Sequence, residues 1–326
     1  SDLEDGIYKG LLEGLNDPYS VYYTAEEYRK MMEQTSGTYS GIGALVSQNA
    51  ETGIITVVKA FADAPAAKAG VKNGDIIYKV KGKEVTGVDI NNVVTEMKGE
   101  KGTTVDITVY RESEKKYIDF TITRDQVNEP TVEYKMLDKK KKIGYIQISQ
   151  FEEVTYDQFT KALDDLKKQG MKAVIFDVRS NPGGLYETVC KMLDEILPEG
   201  NLVSTKDKYG NEEKQTSDSK CLEMPMVVLQ NKDSASASEI FAGAIQDFNA
   251  GKIVGTQSFG KGIVQTILPL SDGSAVKLTV QDYYTPSGKN IHGKGITPDV
   301  EAELEENATS DTQLEKAKET IMELMK

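Results

Sequence analysis

A serine-rich segment at residues 231–239 could supply a nucleophile. It reads Asn-Lys-Asp-Ser-Ala-Ser-Ala-Ser-Glu, and its small side chains let the backbone turn tightly and let a substrate approach. The apolar run 240–245 that follows is typical of a helix, so the hydroxyls would lie at a helix N-terminus, where amides can stabilise a developing negative charge. An ordinary serine N-cap explains the same pattern, and chemistry alone does not choose between Ser234, Ser236 and Ser238.

A lysine between two glycines, Lys261, could act as the base for such a serine. The glycines allow close approach from both sides, and the apolar neighbours Phe259, Ile263 and Val264 could keep water from the amine. Burial lowers the pKa of a lysine amine, and a neutral amine can accept the proton of a serine hydroxyl. The other interpretation is a charged residue in a surface loop.

A glycine pair follows an apolar run that predicts a buried strand. The segment 177–184 reads Asp-Val-Arg-Ser-Asn-Pro-Gly-Gly, and Gly183 and Gly184 can present backbone amides that no side chain obstructs. Such amides are typical of one half of an oxyanion hole. A plain strand-to-helix turn explains these residues equally well.

Three other patterns indicate different chemistry but are incomplete. Residues 255–261 have the spacing of a nucleotide-binding P-loop, yet Gly262 stands where Ser or Thr must reach magnesium, and a strand is predicted after it. Residues 217–220 match a Ser-x-x-Lys pattern, but they lie in a polar stretch that no apolar helix follows. A Ser-His-Asp triad would have to use His292, which lies in a glycine-rich loop typical of a solvated residue.

The overall composition excludes further classes of function. A chain of 326 residues with 38% hydrophobic and 28% charged residues predicts a globular protein of about two domains. The net charge of −13 argues against a nucleic-acid partner, because phosphate binding needs a basic surface. One histidine and two cysteines are too few for a histidine-based zinc site or a CxxC site, so we predict no metal and no cofactor.

The periodicity of apolar residues divides the chain into three regions. Residues 1–36 predict two short helices, and residues 37–126 predict short strands with one helix. Residues 127–326 alternate apolar strands with amphipathic helices, which is typical of an α/β core around a buried sheet. A terminal amphipathic helix is predicted at residues 314–325.

Together these segments resemble the carboxy-terminal processing proteases, the tail-specific or S41-type serine peptidases. The resemblance extends over nearly the whole chain, and its specificity comes from the order of many individually weak motifs. The similar stretches are LLEGLNDPYSVYY around residues 12–22, YSGIGA (39–44), PAAKAGVKNGD (65–75), DVRSNPGG (177–184), SASASE (234–239), GKGIVQ (260–265) and YYTPSGKNIHGKGITPDV (283–300).

This resemblance implies a role for each reactive segment. It selects Ser236 as the nucleophile, Lys261 as the general base and Gln265 as an amide that supports the lysine. The backbone amide of Ala237 would complete the oxyanion hole with one glycine of the pair at 183–184. The implied fold is α/β, a spiral protease core of the crotonase and ClpP type, with an inserted PDZ domain and helices at both ends.

The same resemblance makes residues 37–126 a PDZ domain and 127–326 the protease core. The carboxylate-binding loop of the PDZ domain would consist of residues whose backbone N–H groups can surround a chain end. These residues are Ser40, Gly41, Ile42 and Gly43. A peptide would add as a strand beside this loop, and its apolar side chains would fill a pocket. A glycine-rich hairpin without a binding function is the alternative.

The resemblance implies a serine endopeptidase that recognises free C-termini of protein or peptide substrates through its PDZ domain and processes or degrades exported proteins. The expected location is extracytoplasmic, in the periplasm or cell envelope, with a membrane anchor outside this sequence as one option. A homodimer is a possible assembly. The alternative function is a non-catalytic peptide-binding protein of the same fold, and the presence of both Ser236 and Lys261 argues against it.

Overall fold

The chain folds into two compact units, and the second is inserted into the first. The computed structural model describes residues 2–305, 308 and 310–326. The first unit contains Ser1–Ser36 and Thr131–Lys326, and the second contains Gly37–Pro130. The N-terminal region therefore folds together with the C-terminal part of the chain, although the inserted unit separates them in sequence.

The N-terminal region contains two helices, as the sequence predicts. They are α1 (Asp2–Glu13) and α2 (Ala25–Ser36), with strand β1 (Val21–Tyr23) between them. A capping box precedes α2: the Thr24 N–H donates to Glu27 Oε2 at 2.9 Å, and the Glu27 N–H donates to Thr24 Oγ1 at 3.2 Å. This reciprocal pair satisfies two amides that the first helical turn would leave without acceptors.

The inserted unit is an antiparallel sheet with two short helices. Its elements are β2 (Thr38–Gly41), β3 (Ala44–Gln48), β4 (Ile55–Ala60), α3 (Pro65–Ala69), β5 (Ile76–Val80), β6 (Lys83–Glu84), α4 (Ile90–Met97), β7 (Thr104–Arg111), β8 (Lys116–Thr123) and β9 (Asp125–Asn128). The strand order is β3-β4-β5-β7-β8, with β6 on β5. Strand β3 is thus an edge strand, and one side of its backbone has no neighbouring strand in this sheet.

The polar stretch after residue 126, where the sequence predicts the domain boundary, continues a strand. Strand β9 pairs antiparallel with β2, so the inserted unit extends to Pro130. The side chains of β9 are exposed except that of Val127, which is buried. Backbone pairing does not require apolar side chains on both faces, and for this reason the sequence pattern gave no sign of this strand.

The C-terminal part of the first unit is built around a mostly parallel sheet. Its elements are β10 (Val132–Asp138), β11 (Ile143–Ile148), α5 (Thr155–Lys168), β12 (Ala173–Asp177), α6 (Tyr186–Asp194), β13 (Gly200–Asp207), β14 (Glu212–Ser217), β15 (Met226–Gln230), α7 (Ala237–Asp247), β16 (Gly251–Gly255), β17 (Ile263–Pro269), β18 (Ala275–Tyr284), β19 (Val300–Glu301) and α8 (Thr312–Leu324). The sheet order is β10-β11-β12-β15-β16-β19, in which only the pair β10–β11 is antiparallel.

Helices cover both faces of this sheet. Helices α5, α6 and α7 enclose the larger core, where the Phe176 ring lies 5.7 Å from Phe159 and 5.3 Å from Phe241. Helix α8 packs Ala317 and Ile321 on the other face. Each fully buried aromatic side chain stabilises the fold by about 1.5–3 kcal/mol. Among the described helices, none is both long and apolar enough to cross a membrane.

A second sheet joins the N-terminal region to the core. Its order is β1-β18-β13-β14, and β17 pairs with β18 as well. Strand β1 pairs antiparallel with the start of β18, with Val21 opposite Lys277 and Tyr23 opposite Ala275. The hairpin of β17 and β18 follows Lys261 directly, so this pairing places the N-terminal region beside the residues predicted to react. The α/β fold with helices at both ends is confirmed.

Candidate active site

Ser236 occupies a sharp turn between β15 and α7. Its backbone has φ 56° and ψ −114°, which is uncommon for a residue with a side chain and resembles the nucleophile elbow of hydrolases. The side chain is partly exposed at the N-terminus of α7. The Ala237 N–H donates no hydrogen bond to any residue that the structure describes, as expected for the first turn of a helix.

The other two serines of the segment have structural roles. Ser234 and Ser238 are buried, and their hydroxyls donate to the carbonyls of Val178 and Asn181 at 2.8 and 2.9 Å. These bonds fasten the serine turn to the loop that carries the glycine pair. Their hydroxyls are therefore inside the protein, whereas that of Ser236 is on the accessible side of the turn.

Lys261 extends from a glycine-rich turn between β16 and β17. Its Nζ donates to Gln265 Oε1 at 3.1 Å and lies 4.8 Å from the centre of the Tyr19 ring. Burial is the largest cause that lowers the pKa of this amine, and the positive charge of Lys277 lowers it further. Glu239 and Asp17 raise the pKa and only partly oppose these effects.

The sequence expectation for the neighbours of Lys261 is partly wrong. Phe259 is 56% exposed and does not shield the amine, because its backbone N–H binds the Ser234 carbonyl and its ring points to solvent. Ile263 is buried and Val264 packs against the core. The aromatic ring that contacts the amine, that of Tyr19, belongs to the N-terminal region, which sequence reasoning did not connect with this site.

A buried carboxylate links the serine turn to the lysine turn, and sequence reasoning missed it. Glu239 has no exposed surface, and its Oε2 accepts from the backbone N–H of Ser236 and of Lys261, each at 2.8 Å. Its Oε1 accepts from the Gly260 N–H at 2.7 Å and from the Ser258 hydroxyl at 2.5 Å. A glutamate three residues after a serine N-cap was the signal that could have indicated it.

The glycine pair flanks the nucleophile. A Cβ added to Gly183 would lie 2.9 Å from Ser236 Cβ and 3.1 Å from the Ala237 nitrogen, so the chain needs glycine there. The Gly183 N–H donates to Asn181 Oδ1 at 2.8 Å and is already used. Its carbonyl accepts from the Phe151 N–H, so the N–H of Gly184 in the same planar peptide points away from Phe151.

Lys261 is oriented towards Gln265 in this structure. Within the described residues, its Nζ makes no hydrogen bond to the Ser236 hydroxyl. Catalytic hydrogen bonds are often long before substrate binds and shorten in the complex. The amine would therefore have to turn from the Gln265 oxygen before it could accept a proton from the serine.

The loop predicted to bind carboxylates joins β2 to the edge strand β3. Neither the Ile42 N–H nor the Gly43 N–H donates a hydrogen bond to any residue in the described part of the chain. Gly43 has φ 74°, and an added Cβ would lie 2.2 Å from Ala64 Cβ. Gly41 ends β2 opposite Asp125, and the Ser40 hydroxyl is buried without a described partner. The loop therefore offers two unused donors beside an open strand edge.

The three weaker patterns do not form sites. Residues after Gly262 form strand β17 instead of a P-loop helix. The Ser217 hydroxyl donates to the Pro198 carbonyl, and Lys220 pairs with Glu195. His292 is exposed, and its ring lies edge-on to that of Tyr19 with 6.5 Å between the ring centres. Among the described residues, no group of three or more histidine, cysteine, aspartate or glutamate side chains could hold a metal ion.

Family comparisons match both units. Residues 142–302 match the family described as Peptidase family S41, and residues 40–122 match the PDZ domain. The fold and these matches define a serine-type peptidase that carries a PDZ domain.

Relatives in other organisms narrow this class. The chain is 40% identical over 309 residues to a carboxy-terminal-processing protease of Bartonella bacilliformis. This alignment covers 92% of this chain and 70% of that protein. It is 40% identical over 302 residues to a probable CtpA-like serine protease of Staphylococcus epidermidis. This alignment covers 91% of this chain and 60% of that protein. The solved photosystem II D1 C-terminal processing protease has a TM-score of 0.56 and 29% identity, covering 96% of this chain and 84% of that one. This chain belongs to peptidase family S41, the carboxy-terminal processing proteases, as its resemblance predicts.

Proposed function

We propose that the protein is an endopeptidase in which Ser236 and Lys261 act as a catalytic pair. The observation that supports this most is the buried carboxylate of Glu239, which accepts hydrogen bonds from the backbone of both residues. One buried carboxylate thus binds the backbone of a strained serine and of a partly buried lysine, which holds the two turns together. The lowered pKa of Lys261 makes the neutral, basic amine more abundant near neutral pH.

The chemistry follows from these positions. The Ser236 oxygen attacks the substrate carbonyl carbon while its proton moves to the neutral Lys261 amine, which gives a tetrahedral intermediate. The lysine returns this proton to the departing amine as the peptide bond breaks, and an acyl-enzyme remains. Water then attacks the ester with the same lysine as base and releases the new carboxyl end. Gln265 accepts a hydrogen bond from the lysine and would restrict its orientation before it turns to the serine.

We assign the oxyanion hole to the backbone N–H groups of Ala237 and Gly184. Ala237 begins α7, where the helix dipole also favours a negative charge. The Gly184 amide is preferred to that of Gly183 because Asn181 already holds the latter. Gly183 would serve by leaving space, since a side chain there would meet Ser236.

The PDZ domain would recognise the C-terminus of a protein or peptide substrate. A bound peptide would pair with the open edge of β3, and its carboxylate would accept from the N–H groups of Ile42 and Gly43, with Ser40 and Gly41 completing the loop. Apolar residues of the peptide would pack between β3 and helix α4, where Val46 and Val94 are partly buried.

We expect the substrates to be exported proteins. Carboxy-terminal processing proteases generally act outside the cytoplasm, and we place this chain there. We also propose that the protein forms a homodimer, which a measurement of its molecular mass in solution would test.

The experiment that tests the pair is cleavage of an unstructured protein by the unmodified chain and by four variants. We expect Ser236→Ala, Lys261→Ala and the double variant to lose cleavage to the same extent, because residues that act as one unit are strongly non-additive. His292→Ala should retain cleavage and serves as the control. Cleavage by either single variant at the rate of the unmodified protein would refute the proposed pair.

A further inference from the structure

The turn Asp17–Ser20 contacts both side chains of the lysine half of the site. Gln265 Nε2 donates to the Tyr19 carbonyl oxygen at 2.7 Å, and the Tyr19 ring centre is 4.8 Å from Lys261 Nζ. The sequence motif around this turn has no role in the function proposed so far. Its position beside Lys261 and Gln265 suggests one.

The Tyr19 carbonyl determines which end of the Gln265 amide faces the lysine. A carbonyl oxygen can only accept, so the NH2 group of Gln265 points to Tyr19 and its oxygen points to Lys261. A reversed amide would place the NH2 group, which only donates, against the lysine amine. It could not accept a hydrogen bond from the ammonium form of the lysine. The orientation of Gln265 therefore depends on where the N-terminal turn lies.

The Tyr19 ring contributes a second effect. An aromatic face attracts an ammonium group within about 6 Å, and the same ring keeps water from the amine. The charged groups near Lys261 are Lys277, Asp17 and Glu239, and burial influences the amine more than any of them. The ring of His292 also contacts that of Tyr19, with 6.5 Å between the ring centres. The Tyr19 ring thus holds Lys261 in place while it also contributes to its burial.

Hydrogen bonds and strand pairing fix the turn in this position. Asp17 accepts from the Tyr19 N–H at 3.1 Å and from the Ser20 hydroxyl at 2.6 Å. The Ser20 hydroxyl oxygen accepts from the Thr279 N–H at 3.2 Å. Strand β1, directly after the turn, pairs with β18, and β18 pairs with the strand that carries Gln265. The contacts of Tyr19 are therefore built into the sheet.

We propose that Tyr19 is a positioning residue of the active site, which orients Gln265 through its carbonyl oxygen and holds Lys261 beneath its ring. This inference rests on the Ser236–Lys261 pair proposed above. The N-terminal region, which precedes the PDZ domain in sequence, would thus form part of the active site, whose other residues follow the PDZ domain.

The test compares Tyr19→Ala and Tyr19→Phe with Tyr209→Ala. Tyr209 is a matched control because its ring also lies beside a lysine amine, 5.1 Å from Lys208 Nζ, in the exposed turn between β13 and β14. We would measure kcat/KM on a quenched fluorogenic peptide from about pH 6 to about pH 10, the labelling of Ser236 by a fluorophosphonate, and the melting temperature.

Tyr19→Ala should lower kcat/KM about tenfold, because a shift of about 1 Å in a catalytic group can cost up to about 100-fold. Its pH midpoint should move up towards the ordinary lysine value, since water then reaches the amine. Tyr19→Phe should restore most of the activity and the original midpoint. Tyr209→Ala should change neither quantity.

A purely structural role for Tyr19 would alter the melting temperature and leave the pH midpoint unchanged, which would overturn the inference. An equal loss of activity in Tyr209→Ala would overturn it too. If Tyr19→Ala does not fold, Tyr19→Leu replaces it, because leucine keeps apolar volume without an aromatic face, and the same loss of kcat/KM is expected. Failure of the unmodified protein to label at Ser236 would refute the catalytic pair itself, and with it this inference.

Discussion

Replacement of Glu239 by Gln is the substitution whose effect the structure predicts most fully. The carboxylate accepts four hydrogen bonds, whereas a glutamine of the same shape has one acceptor oxygen. An NH2 group in place of Oε1 leaves the Gly260 N–H without an acceptor. In place of Oε2 it leaves two amides, those of Ser236 and Lys261. Each buried donor without a partner costs about 1–3 kcal/mol, so unfolding should become easier by about 1–3 kcal/mol in the first orientation and about 2–6 kcal/mol in the second.

Urea unfolding and peptide cleavage measure the two consequences of this substitution. Glu323→Gln, an exposed change in helix α8, is the matched control and should leave stability within about 0.5 kcal/mol. Glu239→Gln should also lower kcat, because the serine and lysine turns lose the acceptor that they share. The same unfolding midpoint and the same kcat in both variants would refute the role given to Glu239.

Three further predictions concern the lysine and two glycines. Lys261→Met should raise the free energy of unfolding near neutral pH. A lysine whose pKa is lowered in the folded state favours the unfolded chain at pH values below its ordinary pKa. Urea unfolding at two pH values tests this, and the gain in stability should vanish above about pH 10.5. Gly183→Ala should abolish fluorophosphonate labelling by displacing the nucleophile, whereas Gly210→Ala, at a similar positive φ in open space, should not. Gly43→Ala should abolish calorimetric binding of a C-terminal peptide, and Gly82→Ala, also at positive φ without close neighbours, should keep it. If the amidated peptide binds the unmodified protein as tightly as the free acid does, the PDZ loop does not read a carboxylate.

Local sequence patterns predicted the elements of the site well. The serine turn lies before a helix, and the lysine turn lies before a strand, as the small and apolar residues indicate. The choice of Ser236 came from the family resemblance, and the structure adds a physical reason for it. Ser234 and Ser238 donate to carbonyls inside the protein, which no spacing rule could reveal.

Residues that act across long sequence separations could not be predicted in the same way. Tyr19 reaches Lys261 only because β1 pairs with β18 around the inserted unit, and periodicity says nothing about which strands pair. Glu239 looks like an ordinary first-turn glutamate until the lysine turn is placed against it. The prediction that Phe259 shields Lys261 was wrong, because an apolar side chain that is close to a lysine in sequence need not cover it in space.

The central claim is that Lys261 activates Ser236, and the pH dependence of Ser236 acylation tests it most directly. The rate of labelling by a fluorophosphonate should rise with pH as a single deprotonation, with a midpoint below the ordinary lysine value of 10.5, since burial lowers the pKa of Lys261. Lys261→Met should remove this rise and most of the labelling. Undiminished labelling of Lys261→Met, or a rise already complete near pH 6.5 as a histidine base would give, would contradict the account.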